Sequence, residues 1–404
     1  MKVLWIATCV PYPADNGYKI VLANRLQKAK ERGIDIVFVA EGQPTNDSLL
    51  LLKAVTSKAI LTNEKSRSKP YLAHCFIKSS LNLGRYYNEK IVTLIRQELK
   101  EKKFDLIIVE MPLLMINLPL DEIDEDIPIC INQHNIESKA VLSKISVQGI
   151  GLLKKVYSRI ESVKLKRWEQ KMYMKKSVIA HTFVSDADME LFQREFNFPE
   201  NTKFLCSPIG TNLPNSTETP IDVNNEIQMI MFPAAFDYAP NIHGAKWFVS
   251  NIMPRIKEKC PNAKVYLVGR NPTQEILNLS SSDTVVTGTV NSMVPYFKRA
   301  NLFIVPLFFG GGMKTKLVEM GCYGKPTITT TSGITGTIYK SFEDVLVSDT
   351  VQDFAEYCID TLLNPGKYEK MAAHMYQTTI DNYLWDSIGE KYCNFIENIC
   401  GAVS

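Results

Sequence analysis

Between Pro306 and Pro326 the chain reads PLFFGGGMKTKLVEMGCYGKP: an apolar run ends, three glycines follow, and a helical pattern starts near Met313. Gly310, Gly311 and Gly312 let backbone N–H groups come close to a ligand, and a first turn through Met313, Lys314 and Thr315 presents N–H groups carrying partial positive charge. Lys314 and Lys316 add two mobile ammonium groups. A diphosphate, with its charge spread over several oxygens, suits that combination. Glu319 lies three residues after Lys316 on the same helical face, where a carboxylate accepts hydrogen bonds from paired ribose hydroxyls. The plainer alternative is an ordinary helix start with a Lys316 to Glu319 ion pair. The spacing is not that of a P-loop, because Met313 separates Gly312 from Lys314.

Two positions in the first half could also do chemistry. Gly17 sits in PYPADNGYK, after the first apolar run and before a helix expected from Ile20, with Lys19 as a nearby charge; turn chemistry alone also explains Pro13, Asp15, Asn16 and Gly17. His134 follows the apolar run Ile129 to Asn132, so it should emerge at a strand's carboxyl end. Two Asp-x-Asp sequences could suggest a metal, but Asp124 and Asp126 lie in an acidic surface connection. Asp186 and Asp188 follow Ser185 in the pattern of a helix N-cap. No metal and no cofactor are expected.

These residues need a scaffold, and the periodicity supplies one. Short apolar, β-branched runs at Val3 to Ala7, Ile34 to Ala40, Ala59 to Leu61, Leu106 to Val109, Ile129 to Asn132 and Val178 to Val184 alternate with helical stretches such as Ile20 to Arg32 and Lys90 to Glu101. Ser207 to Asn225 then turns rich in Pro, Asn, Ser and Thr, as a linker does. The alternation restarts with strands at Ile227 to Phe232, Lys264 to Val268, Thr284 to Thr287, Leu302 to Val305, Thr327 to Thr330 and Val345 to Val347. The helices between them are expected at Ile242 to Glu258, Ser292 to Arg299 and Lys314 to Tyr323. The fold class is therefore α/β, with two Rossmann-like domains whose parallel sheets hold ligands at their carboxyl ends, facing across a central cleft. We expect an N-terminal domain over 1–210, a C-terminal domain over 211–383, and a last helix over 384–404 packing back toward the first domain.

At 404 residues two cores of roughly 200 residues each are feasible. A formal charge of +3 gives no reason to expect a nucleic-acid partner. Nine scattered cysteines without a C-x-x-C pair argue against disulfides or zinc and fit a reducing compartment. The opening MKVLWIATCV reads as a first strand rather than a signal peptide, and no run reaches the roughly 18 apolar residues that span a bilayer. A cytoplasmic location follows. Between Lys139 and Lys176 eleven Lys or Arg face only Glu161 and Glu169, while Leu152, Leu153, Val156, Tyr157, Ile160, Val163 and Trp168 recur at helical spacing. That basic helix is either a solvated face over a buried stripe or a peripheral contact with anionic lipid at the inner face of a membrane.

The glycine segment resembles the donor-binding segment of glycosyltransferase family 4, the retaining GT-B enzymes, in a branch reading P-L-x-x-G-x-G-x-K-x-K-x-x-E-x-x-x-x-G-x-P. Further similarity runs along the chain in PYPADNG, QHNIES, FVSDAD, FPAAFDYAPNIHGAKWF, LVGRNP, VTGTV, TSGITG and YLW. The resemblance implies transfer of a sugar from a nucleotide-diphosphate donor to a glycan, lipid-linked or protein acceptor, in cell-surface polysaccharide or glycoconjugate synthesis. It implies that Gly17 reaches the donor phosphates, that Arg270 and Val290 border the nucleobase, and that His134 contacts the donor sugar or assists proton transfer. Glu319 matches the second of the family's two glutamates eight positions apart; the first would fall at Gly311. The family's Arg and Lys clamp is replaced by Ala235 and Pro240, which leaves Lys314 and Lys316 to supply the charge. A nucleotide-sugar epimerase and a non-catalytic partner subunit are the alternatives on the same fold.

Overall fold

The computed structural model describes residues 1–64, 80–101, 103–143, 152–214, 217–310 and 313–401. The chain forms two compact units, Met1–Ile209 with Ile388–Ser404 and Gly210–Ser387. Each is built on one parallel sheet.

The first unit carries β1 (Lys2–Ala7), β2 (Asp35–Glu41), β3 (Lys58–Thr62), β4 (Leu106–Val109), β5 (Ile129–Gln133), β6 (Val178–Phe183) and β7 (Lys203–Cys206), in the order β3-β2-β1-β4-β5-β6-β7. Successive β1 residues point to opposite faces, and both faces are covered: Val3, Trp5 and Ala7 enter one core and Leu4 and Ile6 the other. That is why the strand reads as an unbroken apolar run rather than an alternation. Strand β7 was not legible in the sequence. It is a four-residue edge strand, KFLC, half-buried along its length, so neither length nor pattern marked it.

The helix Gly17–Glu31 starts three residues earlier than expected, because Asn16 caps it by accepting from the Lys19 N–H at 3.1 Å. Ser185 caps helix Asp186–Glu195 through the Asp188 N–H at 3.2 Å, the N-cap expected for that Asp-x-Asp sequence. The last helix, Trp385–Gly401, begins in the second unit and ends in the first, where Tyr392, Ile396 and Ile399 enter the core beneath β1 and β2.

The second unit repeats the plan with β8 (Gln228–Pro233), β9 (Ala263–Val268), β10 (Thr284–Gly288), β11 (Leu302–Val305), β12 (Thr327–Thr329) and β13 (Leu346–Val347), in the order β10-β9-β8-β11-β12-β13. In both sheets the order reverses beside the first strand of the unit, at the β1/β4 and β8/β11 pairs, where ligand crevices open in such folds. The helix expected from Ile242 to Glu258 is a continuous run from Ala239 to Lys259, interrupted by a π-turn at Phe248–Ile252. Pro254 is the reason. It has no N–H to give and would strike the carbonyl four residues back, so the wider turn, closed by the Met253 N–H on the Phe248 carbonyl, lets the run pass.

Among the described residues the cysteines are free thiols. No described helix is long and apolar enough to cross a membrane.

Candidate functional site

In the second unit the loops after β8, β9 and β10 and the helix Thr315–Gly321 enclose a pocket of about 490 Å³. That volume lies in the range of small-molecule sites. Ala234 and Ala235 follow β8, Gly269 and Arg270 follow β9, and Thr289 and Val290 follow β10; Asn241, Met293, Thr315, Lys316 and Glu319 complete the wall. The structure thus brings Arg270, Val290, Thr315, Lys316 and Glu319 together from three separate stretches of sequence.

The loops are zipped to one another. Ala234 donates its N–H to the Val268 carbonyl at 3.0 Å and Phe236 to the Arg270 carbonyl at 2.9 Å. Arg270 is exposed, and its side chain makes no hydrogen bond or ion pair among the described residues.

The two lysines are not the mobile cations expected. Lys314 is buried, donates to the Gly310 carbonyl at 2.7 Å and is absent from the described pocket wall. Gly310 has φ +112°, and a Cβ there would lie 3.1 Å from Tyr238 Oη and 3.2 Å from Pro240 Cγ, so position 310 admits no side chain without displacement. Met313 is half-buried against the core of the unit. Gly311 and Gly312 lie outside the described residues. The helix that follows is two turns long and starts at Thr315.

Lys316 is half-buried on the pocket wall. Its Nζ donates to Asn241 Oδ1 at 2.6 Å and lies 4.8 Å from the centroid of the Phe232 ring. Asn241, itself buried, donates its Nδ2 to the Ala235 carbonyl at 2.8 Å and so is fixed at both ends. Burial, followed by the charge of Lys314, pushes the Lys316 ammonium down to about 7. Glu319 is not Lys316's partner. It is accessible in the pocket, although the surrounding protein still raises its carboxyl above the usual range. Asn241 was missed by sequence reasoning, although it stands in the YAPN turn directly after Pro240.

In the first unit the order reversal between β1 and β4 gathers a second polar cluster. Glu110, directly after β4, is fully buried. Its Oε1 accepts from Trp5 Nε1 at 2.8 Å and Asn132 Nδ2 at 2.7 Å, and its Oε2 lies 2.9 Å from His134 Nε2. Arg25 Nη1 stands 3.8 Å from Oε2, with its guanidinium 4.6 Å from the Tyr392 ring centroid. Desolvation alone would raise the Glu110 carboxyl; the His134 hydrogen bond, the Arg25 charge and the remaining donors together outweigh it and hold it low. His134 sits at the end of β5, 12% exposed at its side chain, with its ring 4.7 Å from that of Tyr18. No sequence motif marks Glu110; a carboxylate closing the strand LIIV was the available signal.

Gly17 stands at the first position of its helix without a positive φ, and a Cβ there would meet only Ile209 at 3.5 Å. Lys19 is tied to Asp15 at 3.0 Å rather than free. The basic helix runs from Leu152 to Tyr173, and its faces are the reverse of the usual arrangement. Glu161, Leu165 and Glu169 are buried, whereas Leu153, Val156, Tyr157, Ile160 and Val163 are 44 to 87% exposed. Glu161 accepts from Ser80 Oγ and the Leu81 N–H, and Glu169 from the Ser138 N–H, so the acids face inward because backbone and hydroxyl donors meet them there. The reading of a solvated face over a buried apolar stripe is therefore overturned for those five residues. Lys144 lies outside the described residues, as do the side chains of Leu152 and Lys154.

Residues 228–364 match the family model described as Glycosyl transferases group 1. No curated protein matches the chain in sequence. Among solved structures the chain is similar to a glycosyltransferase from Rickettsia africae ESF-5, with TM-score 0.66 and 14% identity over 98% of each chain. A sucrose-phosphate synthase from Thermosynechococcus elongatus gives TM-score 0.64 and 12% identity over 100% of each. Anabaena Alr3699/HepE in complex with UDP and glucose gives 0.62 and 10% over 98% of this chain and 99% of that one. The chain thus has the GT-B fold of two Rossmann-like domains, and its second unit carries a glycosyltransferase group 1 domain.

Proposed function

We propose that the protein is a retaining, metal-independent glycosyltransferase that takes a nucleotide-diphosphate sugar in the pocket of its second unit and passes the sugar to a glycan, lipid-linked or protein acceptor. The observation that carries this reading is the convergence of Lys316, Glu319, Arg270 and Val290 on one pocket at the carboxyl ends of β8, β9 and β10. Lys316 supplies positive charge to the diphosphate, Glu319 accepts from the ribose hydroxyls, and Val290 with Met293 offers an apolar edge to the base. The likeness to a protein solved with UDP and glucose supports a nucleotide-sugar donor.

In the transfer, the bond between the anomeric carbon and the diphosphate oxygen breaks and a bond to the acceptor oxygen forms on the same face of the sugar. The departing phosphate takes the acceptor's proton, so the step needs positioning and stabilisation of the leaving group more than a strong base. His134 acts on the sugar or on that proton. A panel of nucleoside diphosphates and their sugars should raise the unfolding midpoint for one base. The matching donor should then give a glycosylated product only when acceptor is added; an epimerised sugar formed without acceptor would replace this reading with that of an epimerase.

The exposed stripe Leu153, Val156, Tyr157, Ile160 and Val163, bordered by Lys155, Arg159 and Lys164, fits the surface of an anionic bilayer. A membrane-bound acceptor in polysaccharide or glycoconjugate synthesis, reached from the cytoplasm, accounts for such a surface. Full-length protein should float with vesicles containing anionic lipid at low salt. The double variant Val156→Asp, Ile160→Asp should not, and it should keep the wild-type unfolding midpoint because both side chains are exposed. Failure of the wild type to float at either low or high salt would remove the membrane from the proposal.

A further inference from the structure

Glu110 is fully buried and has hydrogen-bond partners on both carboxylate oxygens. Trp5 and Asn132 both donate to Oε1, while Oε2 has His134 at hydrogen-bond distance and the Arg25 guanidinium farther off at 3.8 Å. A carboxylate can only accept, so the His134 nitrogen it touches, Nε2, must carry the proton. The low proton affinity of Glu110 agrees with an ionised group. The other ring nitrogen, Nδ1, then bears the lone pair when the imidazole is neutral, and it takes no partner among the described residues. The ring is further held by Tyr18, whose hydroxyl accepts the Thr8 N–H at 3.1 Å and whose face lies beside the imidazole.

We propose that Glu110 is a positioning residue that holds His134 in the Nε2–H tautomer and so presents Nδ1 as the acceptor atom used on the substrate. Its role in the reaction rests on the transferase reading above; its hold on the histidine does not. The two oxygens make the arrangement directional. In Glu110→Gln the amide oxygen must stay with the two donors Trp5 and Asn132, so the amide NH₂ turns toward His134. Nε2 then becomes the acceptor, the proton moves to Nδ1, and the atom offered to the substrate changes from acceptor to donor.

The test uses full-length protein labelled with ¹⁵N-histidine, with His134→Gln to assign the signal, observed at a pH where the imidazole is neutral. The wild type should show the Nε2–H form and Glu110→Gln the Nδ1–H form, with turnover lowered by about 10²- to 10⁴-fold, the scale of acid–base and tautomer effects. Glu110→Asp should return the Nε2–H form with part of the rate. Nucleoside diphosphate binding should match the wild type in both variants, since its pocket is built from the second unit. A wild-type Nδ1–H form, or an unchanged tautomer in a folded Glu110→Gln protein, would overturn the hold. A switched tautomer with turnover within about threefold of wild type would overturn the role in the reaction. Should Glu110→Gln not fold, the wild-type and Glu110→Asp spectra decide. If no donor supports transfer by the wild type, the transferase reading fails, while the spectra still decide whether Glu110 sets the tautomer.

Discussion

Lys316→Met turns over about 10²- to 10³-fold more slowly than the wild type, the loss typical of removing one charged or hydrogen-bonding group from a developing oxyanion, and melts a few degrees higher. Both halves follow from one environment. The ammonium is half-buried, touches one neutral amide oxygen and one aromatic face, and sits near a second lysine, so the surrounding protein disfavours its charge. A diphosphate reverses that by supplying the counter-charge.

The pH dependence gives the sign. In the free protein Lys316 loses its proton near 7, whereas an unfolded lysine holds it to about 10.4. Below about 7 both states are charged and the desolvation cost opposes folding in full. As pH rises from there toward the unfolded value, the unfolded chain binds the extra proton and this residue's penalty fades. The midpoint gap between Lys316→Met and wild type should therefore be widest below pH 7 and narrow above it. Ligand binding runs the other way: above pH 7 the wild type must take up a proton to hold the diphosphate, so its affinity falls with rising pH, approaching tenfold per unit, while the variant's stays flatter. Calorimetric titration with a nucleoside diphosphate from pH 7 to 9 measures this directly. A wild-type affinity with the variant's pH dependence would remove Lys316 from the diphosphate site.

Gly269→Ala should cost about 3 kcal/mol or more, on the scale of severe overpacking with backbone strain, and abolish nucleotide binding. Gly269 has φ +150°, which side-chain-bearing residues rarely adopt, and a Cβ there would stand 1.8 Å from the Ala234 carbonyl oxygen and 2.9 Å from its carbon. Those atoms cannot retreat cheaply. Ala234 is hydrogen-bonded to Val268, and Pro233 is in register with Val268 across the β8/β9 ladder. The side chain is accommodated only by parting the two strand ends that form the pocket floor. Hydrogen exchange should show protection lost over 228–270 and kept in β1, β2 and β4 of the other unit. A variant with wild-type protection and affinity would mean that the loop yields more readily than its hydrogen bonds allow.

The α/β alternation and twelve of the thirteen strands among the described residues could be read from the sequence because strands covered on both faces announce themselves as apolar runs. The exception, β7, lies at a sheet edge and carries no such mark. Among the candidate site residues, motif and resemblance pointed to Lys316, Glu319, Arg270 and Val290, and the structure places all four on one pocket wall. Lys314 illustrates the limit: spacing shows that two lysines follow the glycines, but not that one folds back onto the Gly310 carbonyl. Asn241 and Glu110 were hidden for a related reason, since each acts through a partner distant in sequence, 75 positions away for Asn241 and Lys316 and 24 for Glu110 and His134. The basic helix misled in a third way. Its apolar stripe was visible, but which face is buried depends on where Ser80, Leu81 and Ser138 offer donors to Glu161 and Glu169.

Because Tyr392, Ile396 and Ile399 complete a core that Val3 and Trp5 enter, that core waits during translation for a helix almost 400 residues on. At about 5–20 residues per second, the ribosome needs on the order of 10–40 s to go from residue 209 to Ile399. Through that interval the apolar surface that the final helix will cover stays bare, while the second unit, contiguous from Gly210 to Ser387, can fold at once. The half encoded later therefore matures earlier, and the nascent amino-terminal half is the stretch most in need of a chaperone.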